Sequence, residues 1–315
     1  GGTLHVAGAV DLTTLDPILS SGQIVIGTGG ALKAATLGIA GGLSNEFKVT
    51  NGAATFSGAA SVNSGKLTVD AALGNATFTA EGGLTLSIGA ALKVDGTGFD
   101  GKLVLGKAGS LAGLTVDSSA GSIVIGSHGI VDVVGSAELN KDADNAGNFK
   151  VANALDLKAG KFTQLLGGTT VVAGVTSVGT ATEVATLKVD GGQFKAEGGL
   201  TFNAKGALNL NGGTLTVGKV GAAANLTVAA GDGVIDVATG SVLDVKGDAT
   251  FNRNASSTGT LTVSQALNLT QGTFTQSNGG SATTVAAATT IGSADKVGVL
   301  KLDDGAFKAE GGLTV

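Results

Sequence analysis

The decapeptide Gln193–Phe202 returns 113 residues later as Ala306–Val315, and it stands 116 residues earlier as Thr77–Leu86. A long internal repeat constrains the fold before any single residue is weighed, because each copy must be a unit that stacks on the next. The repetition extends beyond the decapeptide. Gly135-Ser136-Ala137-Glu138-Leu139-Asn140 matches Gly247-Asp248-Ala249-Thr250-Phe251-Asn252 at an offset of 112, and Lys161-Phe162-Thr163-Gln164 matches Thr273-Phe274-Thr275-Gln276 at the same offset. Repeat units are therefore expected over 77–192 and 193–305, with a further one starting at 306–315. Residues 1–76 read as a divergent copy, in which Glu46-Phe47-Lys48-Val49 echoes Asn148-Phe149-Lys150-Val151 at an offset of 102. The expectation is one continuous solenoid over 1–315. It opens mid-pattern and stops inside a repeat, so it reads as a segment of a longer chain.

Within the unit runs a shorter beat. Leu187-Lys188-Val189, Phe194-Lys195-Ala196, Leu200-Thr201-Phe202, Leu208-Asn209-Leu210 and Leu215-Thr216-Val217 begin six to eight residues apart. Each is an apolar–polar–apolar triplet, the period-2 signature of a strand with one buried face. Gly, Asn and Asp fill the gaps, as in Asp190-Gly191-Gly192 and Asn211-Gly212-Gly213, where tight bends need residues that tolerate positive φ. Such spacing leaves no room for a crossover helix, and no dedicated hairpin turn recurs. The expected fold is all-β: a parallel β-helix, or β-solenoid, with three short strands per coil of roughly 20–23 residues. About five coils would make one long unit and about 14 the whole chain, at the ~4.8 Å strand spacing. Leu187, Val189, Phe194, Ala196, Leu200, Phe202, Leu208, Leu210, Leu215 and Val217 are expected inside. Lys188, Lys195, Thr201, Asn209 and Thr216 are expected outside. Phe56, Phe78, Phe162, Phe194, Phe251, Phe274 and Phe307 read as stacked core side chains. Lys195, Glu197, Lys308 and Glu310 read as a solvated face with weak cross-rung ion pairs.

Composition narrows the alternatives. There are 55 glycines but one proline, which excludes collagen, and 43 % apolar against 14 % charged residues argues against disorder. No apolar run approaches the length of a membrane-spanning helix. The strands are too short, and too poor in aromatics, for an outer-membrane barrel. A net charge of −5 with a single arginine, Arg253, gives no basic footprint for nucleic acid.

Runs such as Gly213-Thr214-Leu215-Thr216-Val217, Gly259-Thr260-Leu261-Thr262-Val263 and Gly65-Lys66-Leu67-Thr68-Val69 recur along the chain. They resemble the Gly-Thr-Leu-x-Val strand repeats of bacterial autotransporter passenger domains and related large surface adhesins. The resemblance covers essentially the whole chain and brings no catalytic or binding motif with it. It implies a right-handed β-helix exported to the bacterial cell surface, with a role in adhesion, aggregation or forming a surface layer.

Reactive chemistry is sparse. His5 and His128 are the only imidazoles, and His128 falls in a bend, Ser127-His128-Gly129. No nucleophile elbow and no phosphate loop occur. No catalytic residue and no cofactor is expected. The one metal candidate is calcium at Asp142, Asp144 and Asn145, where hard oxygen ligands precede a glycine. The equivalent stretch from Asn252 to Gly259 has no carboxylate, so a polar bulge loop is the preferred reading. Asn75, Asn225, Asn254 and Asn268 open glycosylation-type triplets, an expected by-product of a chain rich in Asn, Ser and Thr.

The expected function is thus a non-catalytic extracellular structural or adhesive solenoid on a bacterial cell surface. A self-assembling subunit of an extracellular filament or surface layer is the alternative, and a carbohydrate-active β-helix enzyme the weaker one. Expected partners are copies of itself, end-to-end or laterally, other surface proteins, or a host or biofilm matrix.

Overall fold

The recurring decapeptide shows why the chain coils. Phe194 and Ala196 are fully buried while Gln193 before them and Lys195 between them face outward. Glu197-Gly198-Gly199 then turns the chain into the strand Leu200–Phe202. Gly199 sits at φ +112°, and a Cβ on Gly198 would overlap the backbone of Gly174 in the preceding coil. The first glycine is needed for close approach and the second for its left-handed φ. Gly82-Gly83 and Gly311-Gly312 repeat both features.

The computed structural model describes residues 2–107, 109 and 112–315. It is an all-β parallel solenoid with three strands per coil and about 13 turns, and no helix occurs among the described residues. The chain forms two compact units, Gly1–Ala154 and Leu155–Val315. Their boundary falls inside the stretch 77–192 expected to be one repeat unit. Phe78, Phe194 and Phe307 all occupy the second strand of a coil. Phe47 lies in the first strand of its coil and Phe149 in the second, so those two look-alike tetrapeptides are not equivalent positions.

In the first unit, Thr3–Val6, Gln23–Ile26, Glu46–Val49, Lys66–Ala71, Ala91–Gly96, Ile123–Ile125 and Ala143–Asn145 pair in that order, all parallel. Register places Phe47, Leu67, Leu92, Ile123 and Ala143 in one buried column. Phe47, Phe56 and Phe78 form an aromatic cluster with ring centroids 5.2–5.8 Å apart. Ala34 and Ala80 pair with Phe56, and Ala54 pairs with Phe78, so small residues make room for each ring. Each buried phenylalanine contributes about 1.5–3 kcal/mol of transfer free energy.

In the second unit the second strands carry Thr170, Phe194, Leu215, Leu243, Leu261, Thr283 and Phe307 in one inward column. The third strands carry Val178, Phe202, Val228, Phe251, Leu269 and Ile291. All ten residues expected inside from Leu187 to Val217 are buried.

Three local expectations are corrected. Of the outward set only Asn209 is exposed; Lys188, Lys195, Thr201 and Thr216 are half-buried. Rungs ~4.8 Å above and below flank each outward side chain, so a solenoid face shields its own surface. Phe307 is likewise half-buried rather than enclosed. Finally, coils are less uniform than roughly 20–23 residues: Leu92 pairs with Ile123, 31 positions on, and Ala255 with Phe274, 19 positions on. The extra residues go into corners, where the ladder is not interrupted. On the outside, Lys107 meets Glu81 at 2.6 Å, and the repeat-related Lys219 meets Glu197 at 2.8 Å. Lys308 pairs with Glu310 at 2.6 Å.

Candidate functional site: a cleft over a buried arginine

A well-formed cleft lies in the second unit, where the chain turns from third strands to first strands. The corner between Leu200–Phe202 and Gly206–Leu210 takes three residues, 203–205. The next, 229–234, takes six, and the two after it, 252–254 and 270–271, take three and two. One long corner beside short ones leaves a notch of about 720 Å³, lined by Asp232, Arg253, Asn254, Ser256, Gln271, Thr273 and Thr275 among others.

Arg253 holds this irregular corner together. Its Nη1 donates to the carbonyls of Asn203 at 3.1 Å and Ala204 at 2.9 Å, and its Nη2 donates to the carbonyl of Gly206. The side chain thereby reaches past the 229–234 corner to the coil beyond it. Glycine makes the passage possible: a Cβ on Gly231 would overlap Ala204, and one on Gly233 would overlap Gly206 and press on Nη1. The amides of Asp232 and Gly233 close the corner by donating to the Ala204 carbonyl. Asparagines serve neighbouring corners in a related way. The Asn203 amide donates to the Gly179 carbonyl at 2.7 Å, and that of Asn252 to the Val228 carbonyl at 3.1 Å.

Arg253 is only 6 % exposed. Burial pushes its pKa down and nearby Asp232 opposes that shift, but a guanidinium stays charged under any such shift. Asp232 is itself held by Lys205 at 2.6 Å, and this hydrogen bond keeps its carboxyl below the usual value. Around the notch the remaining groups are neutral. The Ser256 hydroxyl donates to Asp236 at 2.8 Å, the Gln271 amide to the Asn252 carbonyl at 2.7 Å, and the Thr273 backbone amide to Asn254 Oδ1 at 2.8 Å. That last bond leaves Asn254 Nδ2 with no hydrogen-bond partner among the described residues. The arrangement offers one buried positive charge under a floor of amides and hydroxyls, with the Asp232–Lys205 ion pair at its edge.

The calcium candidate does not converge. The stretch expected as a bulge loop contains the strand Ala143–Asn145, which places Asp144 on the exposed face and Asn145 in the interior. Alternation along a strand sends adjacent side chains to opposite faces, so these two cannot share an ion. Asn145 Oδ1 accepts the Gly147 amide at 3.0 Å, and Asp142 is exposed ahead of the strand. No group of three His, Cys, Asp or Glu side chains able to hold a metal occurs among the described residues. His5 is exposed in the strand Thr3–Val6. His128 is exposed in the turn ahead of Gly129–Val133, its Nδ1 3.1 Å from the Ser127 hydroxyl.

In the sequence, Arg253 registers only as a lone cation. One further signal was available: the preceding repeat has Lys141 at this position, so the arginine is a departure from the pattern at a corner. Compared with known proteins, the chain matches no family, no curated protein and no solved structure.

Proposed function

We propose that the chain is a non-catalytic extracellular structural or adhesive solenoid carried on a bacterial cell surface. The observation that supports this best is an outward column in the second unit. Ser177, Thr201, Thr227, Thr250, Asn268, Thr290 and Thr314 stand in register on successive third strands. Each of these seven carries a hydroxyl or an amide, and the one charged residue in register with them in this unit, Asp156 on the strand before Ser177, accepts the Ser177 hydroxyl at 2.6 Å. Threonine is stiff at χ1, so ordering such a row against a partner loses little side-chain entropy. Repeated shallow hydrogen bonding to a flat partner suits the column better than chemistry, which needs tuned titratable groups converging in a pocket. Elsewhere many charged positions are self-neutralised: Lys188 pairs with Asp190 at 2.6 Å and Lys246 with Asp244 at 2.7 Å. The Gly-Thr-Leu-x-Val repeats, similar to those of autotransporter passenger domains, support export to the surface.

The same column favours a second reading, lateral association of solenoids into a filament or surface layer. Antibody labelling of intact producing cells, before and after protease shaving, tests the location. Labelling that disappears on shaving is expected; labelling seen only after lysis would overturn the surface reading. Negative-stain electron microscopy of the purified protein separates the two roles, because side-by-side arrays are expected only for the assembly reading. Turnover of a polysaccharide by the purified protein would refute both.

A further inference from the structure

Arg253 is the only arginine in the chain, and its charge lies beneath this cleft. Its hydrogen bonds go to backbone carbonyls, which carry partial charge only. Its Nε–H is closed to solvent and has no hydrogen-bond partner among the described residues. The nearest acid, Asp232, is engaged by Lys205. A buried cation with no carboxylate in ion-pair contact among the described residues, in surroundings of low dielectric, favours an anion close by. The floor above it supplies neutral donors and acceptors: Asn254 Nδ2 has no protein partner among the described residues, and Thr273 and Thr275 lie on the same outward face of the strand Gly272–Gln276.

We propose that this cleft binds the carboxylate of a sugar acid, a uronic acid residue. Arg253 supplies the counter-charge from below and Asn254 Nδ2 a hydrogen bond at the surface. The hydroxyls of Thr273 and Thr275 and the amide of Gln271 meet the hydroxyl groups of the ring. A planar carboxylate flanked by hydroxyls matches a site made of the buried Arg253 charge and several neutral polar groups, beside an Asp232 carboxylate that Lys205 already engages. A bare anion would leave those neutral groups without a role, and a neutral sugar would bring no carboxylate to the Arg253 charge, which only the Lys205-engaged Asp232 now offsets from nearby. The notch is open and has no aromatic platform, so binding through it is weak, in the millimolar range set by a few polar contacts.

The single arginine makes the test direct, because its Nε–Hε gives one resonance in a ¹⁵N-correlated NMR spectrum. Sodium glucuronate, glucose, sodium acetate and sodium phosphate are titrated into the labelled protein at constant ionic strength. A saturable shift of the Arg253 Hε and Asn254 side-chain amide signals with glucuronate, and none with glucose, is expected. Arg253→Gln should abolish the shift at Asn254. Should that variant fail to fold, Asn254→Leu, a surface change, should still weaken glucuronate binding several-fold. No saturable shift with glucuronate overturns the proposal. Acetate or phosphate binding as tightly as glucuronate overturns the saccharide assignment.

Discussion

The hydroxyl of Thr170 donates to the side-chain carbonyl of Gln164, 2.6 Å away, with both residues fully buried inside the second unit. Together with buried Thr176 they set a polar residue on each of the three strands of one coil. The repeat returns this layer as Gln276, Thr283 and Thr289, again buried. The second copy is wired differently. Gln276 Nε2 donates to the Ala306 carbonyl at 2.7 Å, while Gln276 Oε1, Thr283 Oγ1 and Thr289 Oγ1 have no partner among the described residues. A made hydrogen bond nets about 1 kcal/mol, whereas a buried polar group left unpaired costs about 1–3 kcal/mol. Two substitutions of the same shape should therefore act with opposite sign. Thr170→Val is expected to lower the melting midpoint in scanning calorimetry, and Thr283→Val to hold or raise it. An equal fall in both would mean that the Thr283 hydroxyl is satisfied by a buried water.

Much of this architecture is legible in the sequence, and the parts that are not share a physical cause. The triplet beat from Leu187 to Val217 marks the buried column residue by residue, because period 2 is a local property. The Asp142–Asn145 segment misleads for the opposite reason. Its composition is that of a loop, yet ladder pairing of Ala143 and Asn145 with Ile123 and Ile125 makes it a strand. Strand formation there is decided by neighbouring coils rather than by propensity. The Arg253 cleft is less visible still, since it depends on corner lengths in three successive coils and on a side chain that crosses one of them.

Burial separates the phenylalanines by their expected cost. Phe194 is fully buried, with its ring 5.9 Å from that of Phe162, whereas Phe99 is 44 % exposed. Phe194→Ala should destabilise the chain by about 3–5 kcal/mol. Phe99→Ala should cost about 0.5 kcal/mol or less. Phe194→Asp buries a charge and should cost more than either. Urea unfolding midpoints check the order; a Phe194→Asp variant that unfolds with the parent would show that this column does not carry the core.

Acid sensitivity should be traceable to Asp190. Its hydrogen bond from Lys188, at 2.6 Å, lowers its pKa first, followed by the bond from the Asn211 amide at 2.8 Å. The folded pKa lies below the ordinary 3.8. The stabilisation is therefore complete above that value and is lost as pH falls through the lower folded pKa. Asp190→Asn should flatten this part of the stability–pH curve below pH 3.8 and leave its slope above neutrality unchanged. The effect is small because both partners are more than a quarter exposed. Parallel curves for parent and variant down to acid unfolding would remove Asp190 from the account.

Arg253 should matter to the 229–234 corner more than to the rest of the chain. Arg253→Ala deletes three hydrogen bonds from a charged donor and opens a space beneath the corner, so a loss of about 2–4 kcal/mol is expected. Arg253→Lys keeps the charge, but a compact ammonium cannot span three carbonyls as a planar guanidinium does, so it should recover only part of the loss. The damage should appear first as local opening. The amides of Asp232 and Gly233, which donate to the Ala204 carbonyl beside Arg253 Nη1, should exchange with deuterium well before the amide of Phe194 in the buried core. If Arg253→Ala left the melting midpoint unchanged and the protection of residues 232 and 233 intact, the glycine-lined corner would be holding itself. The arginine's role would then rest on the cleft above it alone.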